Sequence, residues 1–113
     1  MRILILDDSI ERLKIFKRNL IGNEVITTIT AKDAIDQLKY GKHFDICYLD
    51  HDLGNKTMVP SGNDTGYEVA QYIHDNPAIE PDQIIIHSFN PDGAKNMKAL
   101  LPNAKIIPGV WLL

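Results

Sequence analysis

Residues 2–8 read RILILDD and residues 44–54 read FDICYLDHDLG, and these two stretches decide the fold. Each contains a short apolar run rich in branched side chains, which predicts a strand buried on both faces of a sheet. Asp7 and Asp8 follow the first run, and Asp50 follows the second. In an open α/β sheet the carboxyl ends of the strands form the edge where ligands bind. We therefore expect three carboxylates to lie together at one edge.

The expected cluster of carboxylates predicts a divalent cation. Asp7, Asp8 and Asp50 would repel one another unless positive charge lay among them. Mg²⁺ prefers carboxylate oxygens and keeps several waters that a phosphate can displace. Mn²⁺ accepts similar oxygens, and a histidine ligand would favour Mn²⁺ or Zn²⁺. The candidate ligands are Asp7, Asp8, Asp50 and, two residues further on, Asp52.

Two kinds of apolar pattern alternate along the chain. Runs of apolar or β-branched residues predict strands, and apolar residues at helical spacing predict helices. The predicted strands cover residues 2–6, 24–30, 44–49, 83–87 and 104–107, and the predicted helices cover residues 10–21, 31–40, 66–76 and 91–101. The last strand could run on into residues 110–113. This alternation predicts one α/β domain over residues 1–113, with a parallel sheet and helices on both faces.

Capping signals mark the starts of the predicted helices. Asn90 precedes a proline and is expected to cap the fourth helix, with a substrate contact as its second possible role. Thr65 and Glu68 have the spacing of a capping box for the third helix. Asp8 and Glu11 have the same spacing, so Asp8 could cap the first helix. Residues 54–64 are polar and rich in turn formers, which predicts a loop that could cover the edge of the sheet.

The composition is that of an ordinary globular protein. The 113 residues are 44% hydrophobic and 24% charged, and their net charge of -3 argues against a strongly basic nucleic-acid clamp. The single cysteine, Cys47, lies inside an apolar run and is expected to be a core residue in a reducing compartment. No apolar stretch is long enough to span a bilayer, so we expect a cytoplasmic protein without a membrane partner.

Two histidines are expected at the same edge as the aspartates. His51 directly follows Asp50, and His87 ends the fourth predicted strand. Histidine titrates near neutral pH, so the two could share the roles of general acid and general base. His87 could instead be a core histidine with a satisfied hydrogen bond. Asp52 could bind metal, orient a histidine or cap the loop.

The first predicted helix carries several basic residues. They could help to hold RNA, but they alternate with apolar residues, and this predicts a solvated helix face instead. These residues are Arg12, Lys14, Lys17 and Arg18.

The order of the predicted elements resembles the receiver domain of bacterial response regulators over nearly the whole chain. The resemblance implies a sheet order of 2-1-3-4-5. It also implies that Asp7 and Asp8 bind Mg²⁺, that Asp50 accepts phosphate, and that Ser88 is the hydroxyl residue after the fourth strand. Receivers carry a lysine after the fifth strand, where this chain has Pro108. The helix that ends a receiver is expected to be missing, because the sequence stops at Leu113.

A narrower resemblance covers three motifs. The stretches LDHDLG, TGYEVA and IIIHSFNPDGAKNM are similar to those of the cyclic-phosphate processing receiver-like domains of bacteria and their phages. In that group a His-Asp after the third strand and a His-Ser-x-Asn after the fourth accompany the acidic pair. The resemblance implies activity on cyclic phosphates in nucleotides or RNA.

These observations favour a metal-dependent phosphoesterase that hydrolyses a cyclic nucleotide or a cyclic-phosphate RNA end. The catalytic candidates are His51, His87, Ser88 and Asp50, and the substrate-binding candidates are Ser88 and Asn90. One alternative is a stand-alone receiver that is phosphorylated on Asp50. Another is a nucleotide-binding module without catalysis. The apolar tail around Trp111 could pack on the thinly covered sheet or form a homodimer contact.

Overall fold

The computed structural model describes residues 1–54 and 56–108 of the chain. The elements in chain order are β1 (Arg2–Leu6), α1 (Ile10–Asn19), β2 (Glu24–Thr28), α2 (Ala31–Tyr40), β3 (Ile46–Leu49), α3 (Gly66–Asp75), a 3₁₀ turn (Pro77–Ile79), β4 (Gln83–Ser88), α4 (Pro91–Leu100) and β5 (Lys105–Pro108). The five strands form one parallel sheet in the order β2-β1-β3-β4-β5. The predicted fold class and strand order are confirmed.

Helices cover both faces of the sheet because the strands are apolar on both sides. Ile3 and Ile5 of β1 pack with Leu13 and Phe16 of α1 on one face. The alternate residues of β1 face the larger cluster, which contains the buried residues of α2, α3 and α4. Successive strand side chains point to opposite faces, so one short apolar run supplies both clusters. Cys47 lies in the larger cluster and is fully buried, as expected.

The register of the strands brings the predicted site residues to one edge. Leu6 pairs with Leu49, and Leu49 pairs with Ile86. The residues that follow these positions are Asp7, Asp50 and His87, and they therefore leave three adjacent strands at the same level. Parallel pairing fixes this arrangement, because all the carboxyl ends meet at one edge of the sheet.

Two capping predictions are wrong. Ser9, not Asp8, is the N-cap of α1, and its side chain accepts a hydrogen bond from the backbone N–H of Arg12. The predicted capping box of α3 does not form either. Thr65 makes no side-chain cap hydrogen bond, and the Glu68 carboxylate accepts from the backbone N–H of Asp64, one residue too early. The prediction for α4 is confirmed, because the Asn90 side chain accepts from the N–H of Gly93.

The remaining differences concern the ends of elements. Helix α1 ends at Asn19, two residues earlier than predicted, and β3 begins at Ile46 instead of residue 44. The continuation of β5 into residues 110–113, the Trp111 contact and the missing last helix all concern residues outside those described. Among the described residues, no helix is long and apolar enough to cross a membrane.

Candidate functional site

Arg12 lies between the two innermost carboxylates of the site. Its Nε donates to Asp7 Oδ2 at 2.7 Å, and its Nη2 donates to Asp7 Oδ1 at 2.9 Å. The same Nη2 donates to Asp50 Oδ2 at 3.2 Å and lies 4.0 Å from Asp8 Oδ1. The Arg12 side chain is only 22% exposed, so its assignment to a solvated helix face is wrong. The Arg12 guanidinium therefore lies within 4.0 Å of three carboxylates.

The two buried carboxylates have opposite pKa shifts. Burial alone would raise the pKa of Asp7, but hydrogen bonds from His87, Arg12 and the Ser9 N–H hold that pKa below its usual value. Burial and the neighbouring Asp7 charge raise the pKa of Asp50 to about 8, and Arg12 offsets this only in part. The positive charge of Arg12 thus helps to keep the pKa of Asp7 low but does not keep the pKa of Asp50 low.

His87 supports the acidic centre from the interior of the protein. Its side chain is buried, and its Nε2 lies 3.0 Å from Asp7 Oδ2. Burial lowers the pKa of His87 despite the hydrogen bond to Asp7, which favours a neutral ring that donates from Nε2. The ring makes an edge contact with Phe16, with 5.2 Å between ring centres. Its Nδ1 is buried and has no hydrogen-bond partner among residues 1–54 and 56–108.

Three residues of the acidic centre could bind a metal ion. One donor atom from each of Asp7, Asp50 and His87 lies within 4.8 Å of the other two. The two carboxylates suit Mg²⁺ or Mn²⁺, and an imidazole ligand would favour Mn²⁺ over Mg²⁺. Of the two ring nitrogens of His87, Nε2 is the one that contacts Asp7 in this group. Within residues 1–54 and 56–108, Asp8 and Asp52 do not join this group, so the structure does not gather all four predicted metal ligands.

His51 lies beneath the loop that follows β3 and is fully buried. Its Nδ1 lies 2.7 Å from Asp52 Oδ1, and its Nε2 lies 2.9 Å from Ser61 Oγ. Because an ionised carboxylate can only accept, the Nδ1–H of His51 donates to Asp52. The ring also packs against Gly93 of α4 so closely that a Cβ there would overlap it.

Asn90 ties this loop to the start of α4. Its side-chain amide donates to Asp52 Oδ1 at 3.1 Å and to the Val59 carbonyl at 3.0 Å. Asp52 Oδ2 accepts from the backbone N–H of Met58 at 2.6 Å. Burial is the largest single effect on the pKa of Asp52 and raises it, but the hydrogen bonds from His51, Asn90 and the Met58 N–H together hold that pKa below its usual value. Ser88 Oγ accepts from the Asn90 backbone N–H at 3.0 Å, so both predicted substrate-binding residues shape the start of α4.

An open pocket of about 630 Å³ lies over the acidic centre. The described residues that line it include Asp8 and Arg12, Asp50, and Asp52 and Lys56 from the loop after β3. The structure thus brings three predicted aspartates to one pocket. The five other predicted residues are buried and are not among the described residues that line it: Asp7, His51, His87, Ser88 and Asn90.

Three residues of this site were not among the predicted site residues, namely Arg12, Lys56 and Ser61. Arg12 lies four residues after Asp8 on the first turns of α1, and this spacing, which favours an ion pair, was the available signal. Ser61 joins His51 to the loop. A serine in a polar loop carries no signal of such a contact.

Comparisons with known proteins agree with this geometry. A model of the cyclic-phosphate processing Receiver domain matches residues 2–103. Among solved structures, the chain resembles a CheY-like receiver domain from Methanospirillum hungatei with 20% identity and a TM-score of 0.70, over 95% of this chain and 79% of the other. The response regulator TrrA from Thermotoga maritima, solved with Mg²⁺-BeF, gives 20% identity and a TM-score of 0.70, over 94% of this chain and 85% of that one.

A third solved structure is the phosphorylated cyanobacterial phytochrome response regulator RcpA. It shares 20% identity and a TM-score of 0.71 with this chain, over 93% of this chain and 78% of that one. No curated protein sequence matches the chain. At these identities the solved structures establish the fold alone, which is that of a receiver domain.

Proposed function

The chain belongs to the family of cyclic-phosphate processing receiver domains, and we propose that it hydrolyses cyclic phosphates of nucleotides or of RNA ends. The single observation that carries the proposal is the pocket in which Asp8, Asp50 and Asp52 face the same space as Arg12 and Lys56. Carboxylates supply ligands for a divalent cation and acceptors for a proton. The two basic side chains supply positive charge for the phosphate.

A divalent cation is part of this proposal. Asp7, Asp50 and His87 would hold it, and Mg²⁺ or Mn²⁺ bound there supplies positive charge to the phosphate oxygens and orients the substrate. Asp8 lines the pocket near this group and would contribute directly or through water. The relative TrrA was solved with Mg²⁺-BeF, which supports a metal at the corresponding edge of this fold.

The hydrolysis itself transfers one proton. The oxygen of a water molecule forms a bond to phosphorus, and the bond between phosphorus and one ring oxygen breaks. A pocket carboxylate takes the proton from the attacking water and returns it to the leaving oxygen, so the product is a phosphomonoester with a free hydroxyl. Arg12 and Lys56 stabilise the charge that develops on the non-bridging oxygens.

The two histidines remain part of the proposal, but they act through carboxylates. His87 hydrogen-bonds Asp7 from the interior, and His51 hydrogen-bonds Asp52 beneath the loop. Each histidine would fix the position of the carboxylate that it hydrogen-bonds. The same hydrogen bond would also set how much negative charge that carboxylate presents to the site. We therefore assign them a positioning role in which neither ring touches the substrate.

A specific observation favours a second candidate function. Asp50 directly follows β3 and Ser88 ends β4, the places of the phosphoacceptor and the hydroxyl residue in receivers, and the relative RcpA was solved in phosphorylated form. Against phosphorylation, Lys105 begins β5, three residues before the position that pairs with Ser88. The Asp50 carboxylate also already binds Arg12 and the His51 backbone N–H.

One experiment separates these functions. The protein is incubated with 2′,3′- and 3′,5′-cyclic nucleotides and with RNA ending in a cyclic phosphate, in Mg²⁺, Mn²⁺ or EDTA, and products are separated by chromatography. Release of a monoester that is lost in EDTA supports hydrolysis. No product from any substrate would reject it. A stable phosphoprotein formed with acetyl phosphate, and absent in Asp50→Asn, would then favour the receiver function.

A further inference from the structure

Three large apolar side chains are exposed around the mouth of the acidic pocket. Phe89 is 54% exposed, Met58 is 62% exposed and Ile10 is 67% exposed, and all three line this pocket. They come from the β4–α4 connection, the loop after β3 and the start of α1. We propose that Phe89, flanked by Met58 and Ile10, is the subsite for the nucleobase of a mononucleotide whose single phosphate binds in the acidic pocket. This inference rests on the proposed function.

The convergence of these side chains is the first argument. Single exposed apolar residues are ordinary on protein surfaces. Here three from separate elements face one concave space whose floor is charged. Ligand sites commonly combine an apolar lining with a few polar groups that fix orientation. The pocket thus offers an apolar wall and a phosphate-binding floor to the same ligand.

Arg12 connects the two parts of the pocket. The central carbon of its guanidinium lies 5.8 Å from the centre of the Phe89 ring, and its Nη2 lies 3.2 Å from Asp50 Oδ2. One guanidinium therefore spans the gap between the aromatic ring and the acidic floor. A ligand with its phosphate beside Arg12 and Asp50 would place a base joined through one sugar next to Phe89. Every base has a flat face that stacks on an aromatic side chain.

The charges around the pocket favour one phosphate over several. Among the described residues that line it, Arg12 and Lys56 are basic, whereas Asp8, Glu11, Asp50 and Asp52 are acidic. A neighbouring pocket of about 400 Å³ shares Asp8 and Lys56 but adds Asp64 and no further basic residue. A second phosphate of an RNA chain would meet carboxylates there. The ligand that fits is therefore a mononucleotide and not an RNA end.

Calorimetric titration of the intact chain in Mg²⁺ tests the subsite with four probes. They are 2′,3′-cyclic AMP, 3′,5′-cyclic AMP, the base-free methyl riboside 2,3-cyclic phosphate, and a tetranucleotide ending in a 2′,3′-cyclic phosphate. We expect at least one cyclic AMP isomer to bind about 10-fold more tightly than the base-free probe, which is the scale of one stacked base. The tetranucleotide should bind no more tightly than that isomer.

Three variants complete the test. Phe89→Ala should abolish the preference for the base, and Phe89→Trp should keep it because the indole also stacks. Tyr40→Ala is the matched control, since Tyr40 is 76% exposed on α2 and lies outside the pocket lining. Affinity for the base-free probe should be the same in all three variants and in the wild type. Thermal unfolding of each variant shows that the fold is intact.

The outcomes separate this inference from the proposed function. Equal affinity for cyclic AMP and the base-free probe, or a preference that survives Phe89→Ala, would overturn the nucleobase subsite even if hydrolysis occurs. Much tighter binding of the tetranucleotide would overturn the single-phosphate ligand and favour an RNA end. Tight binding of cyclic AMP without hydrolysis would keep the subsite and reject the catalytic proposal. Failure of all four probes to bind would reject both.

Discussion

The guanidinium of Arg12 holds both carboxylate oxygens of Asp7, at 2.7 and 2.9 Å. This contact brings a residue of α1 into the acidic centre at the ends of β1 and β3. Receivers place a lysine at the end of the fifth strand for contact with phosphate, whereas β5 of this chain ends at Pro108. In this chain Arg12 of α1, near the N-terminal end of the sequence, supplies positive charge to the acidic centre instead. A divalent cation and a phosphate would have to share the centre with this side chain.

The first prediction concerns Arg12 and stability. Arg12→Met leaves Asp7 and Asp50 buried without their guanidinium, and breaking such a pair typically costs about 3 kcal/mol of unfolding free energy. Chemical denaturation at pH 7.5 in EDTA measures this loss. The loss should shrink when Mg²⁺ is added, because a bound cation stabilises the folded state. Arg18→Met, an exposed site on the same helix, should have little effect. An equal loss at both arginines would contradict the role given to Arg12.

The second prediction concerns Asp50 and pH. The pKa of Asp50 is raised to about 8, above its unfolded value near 3.9. A carboxyl group with a raised folded pKa destabilises the protein progressively as pH rises from the unfolded pKa to the folded pKa. The facing charges are Asp7, Asp8 and Arg12. Asp50→Asn removes the ionisation, so its stability relative to wild type should increase from pH 5 to pH 8 and then level off.

Denaturation in EDTA at several pH values measures this difference, which we expect to reach roughly 3 kcal/mol. Asp75→Asn is the matched control because Asp75 is exposed at the end of α3. A constant difference between Asp50→Asn and wild type across this pH range would show that the Asp50 pKa is not raised.

The third prediction concerns the contact between Gly93 and His51. A Cβ on Gly93 would overlap the His51 ring, so Gly93→Ala must displace either the ring or α4. We expect a loss of about 2 kcal/mol of unfolding free energy, as for other overpacked sites. We also expect faster proteolysis of the loop after β3, because His51 anchors it through Ser61. Gly62→Ala in that loop, where a Cβ meets nothing within 4 Å, should change neither property.

The fourth prediction concerns the histidines and turnover. His51→Ala and His87→Ala should each lower kcat for cyclic nucleotide hydrolysis by about 100-fold or more, since each removes the partner of a site carboxylate. His43→Ala is the control, because His43 is exposed and contacts Asp82 away from the pocket. Full activity in either site variant, with the fold intact by circular dichroism, would show that the substituted histidine has no role in turnover.

The fold followed from local patterns that the tertiary structure did not override. Helix α2 (Ala31–Tyr40) has the predicted bounds, because an apolar face and a terminal glycine agree on them. The start of α1 at Ile10 was predicted correctly, but its N-cap is Ser9 and not Asp8, the residue that the capping-box spacing suggested. Asp7 and Asp8 lie next to Arg12, and Ser9 has the extended backbone of a cap. The choice of cap depended on an ion pair that local sequence does not specify.

The candidate site was predictable where it depends on strand ends and not where it depends on side-chain direction. Asp7, Asp50 and His87 converge because parallel register places them together. Sequence does not specify whether a histidine after a strand turns toward solvent or inward. His51 turns inward because Gly93 leaves room for its ring and because Asp52 and Ser61 satisfy both nitrogens.

The most direct test of cyclic-phosphate hydrolysis by this protein is a ³¹P NMR time course of 2′,3′- and 3′,5′-cyclic AMP with the wild-type protein in Mg²⁺ or Mn²⁺. We expect the cyclic diester signal of at least one isomer to be replaced by a monoester signal. We expect the cyclic diester signals to stay unchanged in EDTA and with the Asp50→Asn variant. Persistence of both cyclic diester signals with the wild-type protein in either metal would contradict hydrolysis at this pocket.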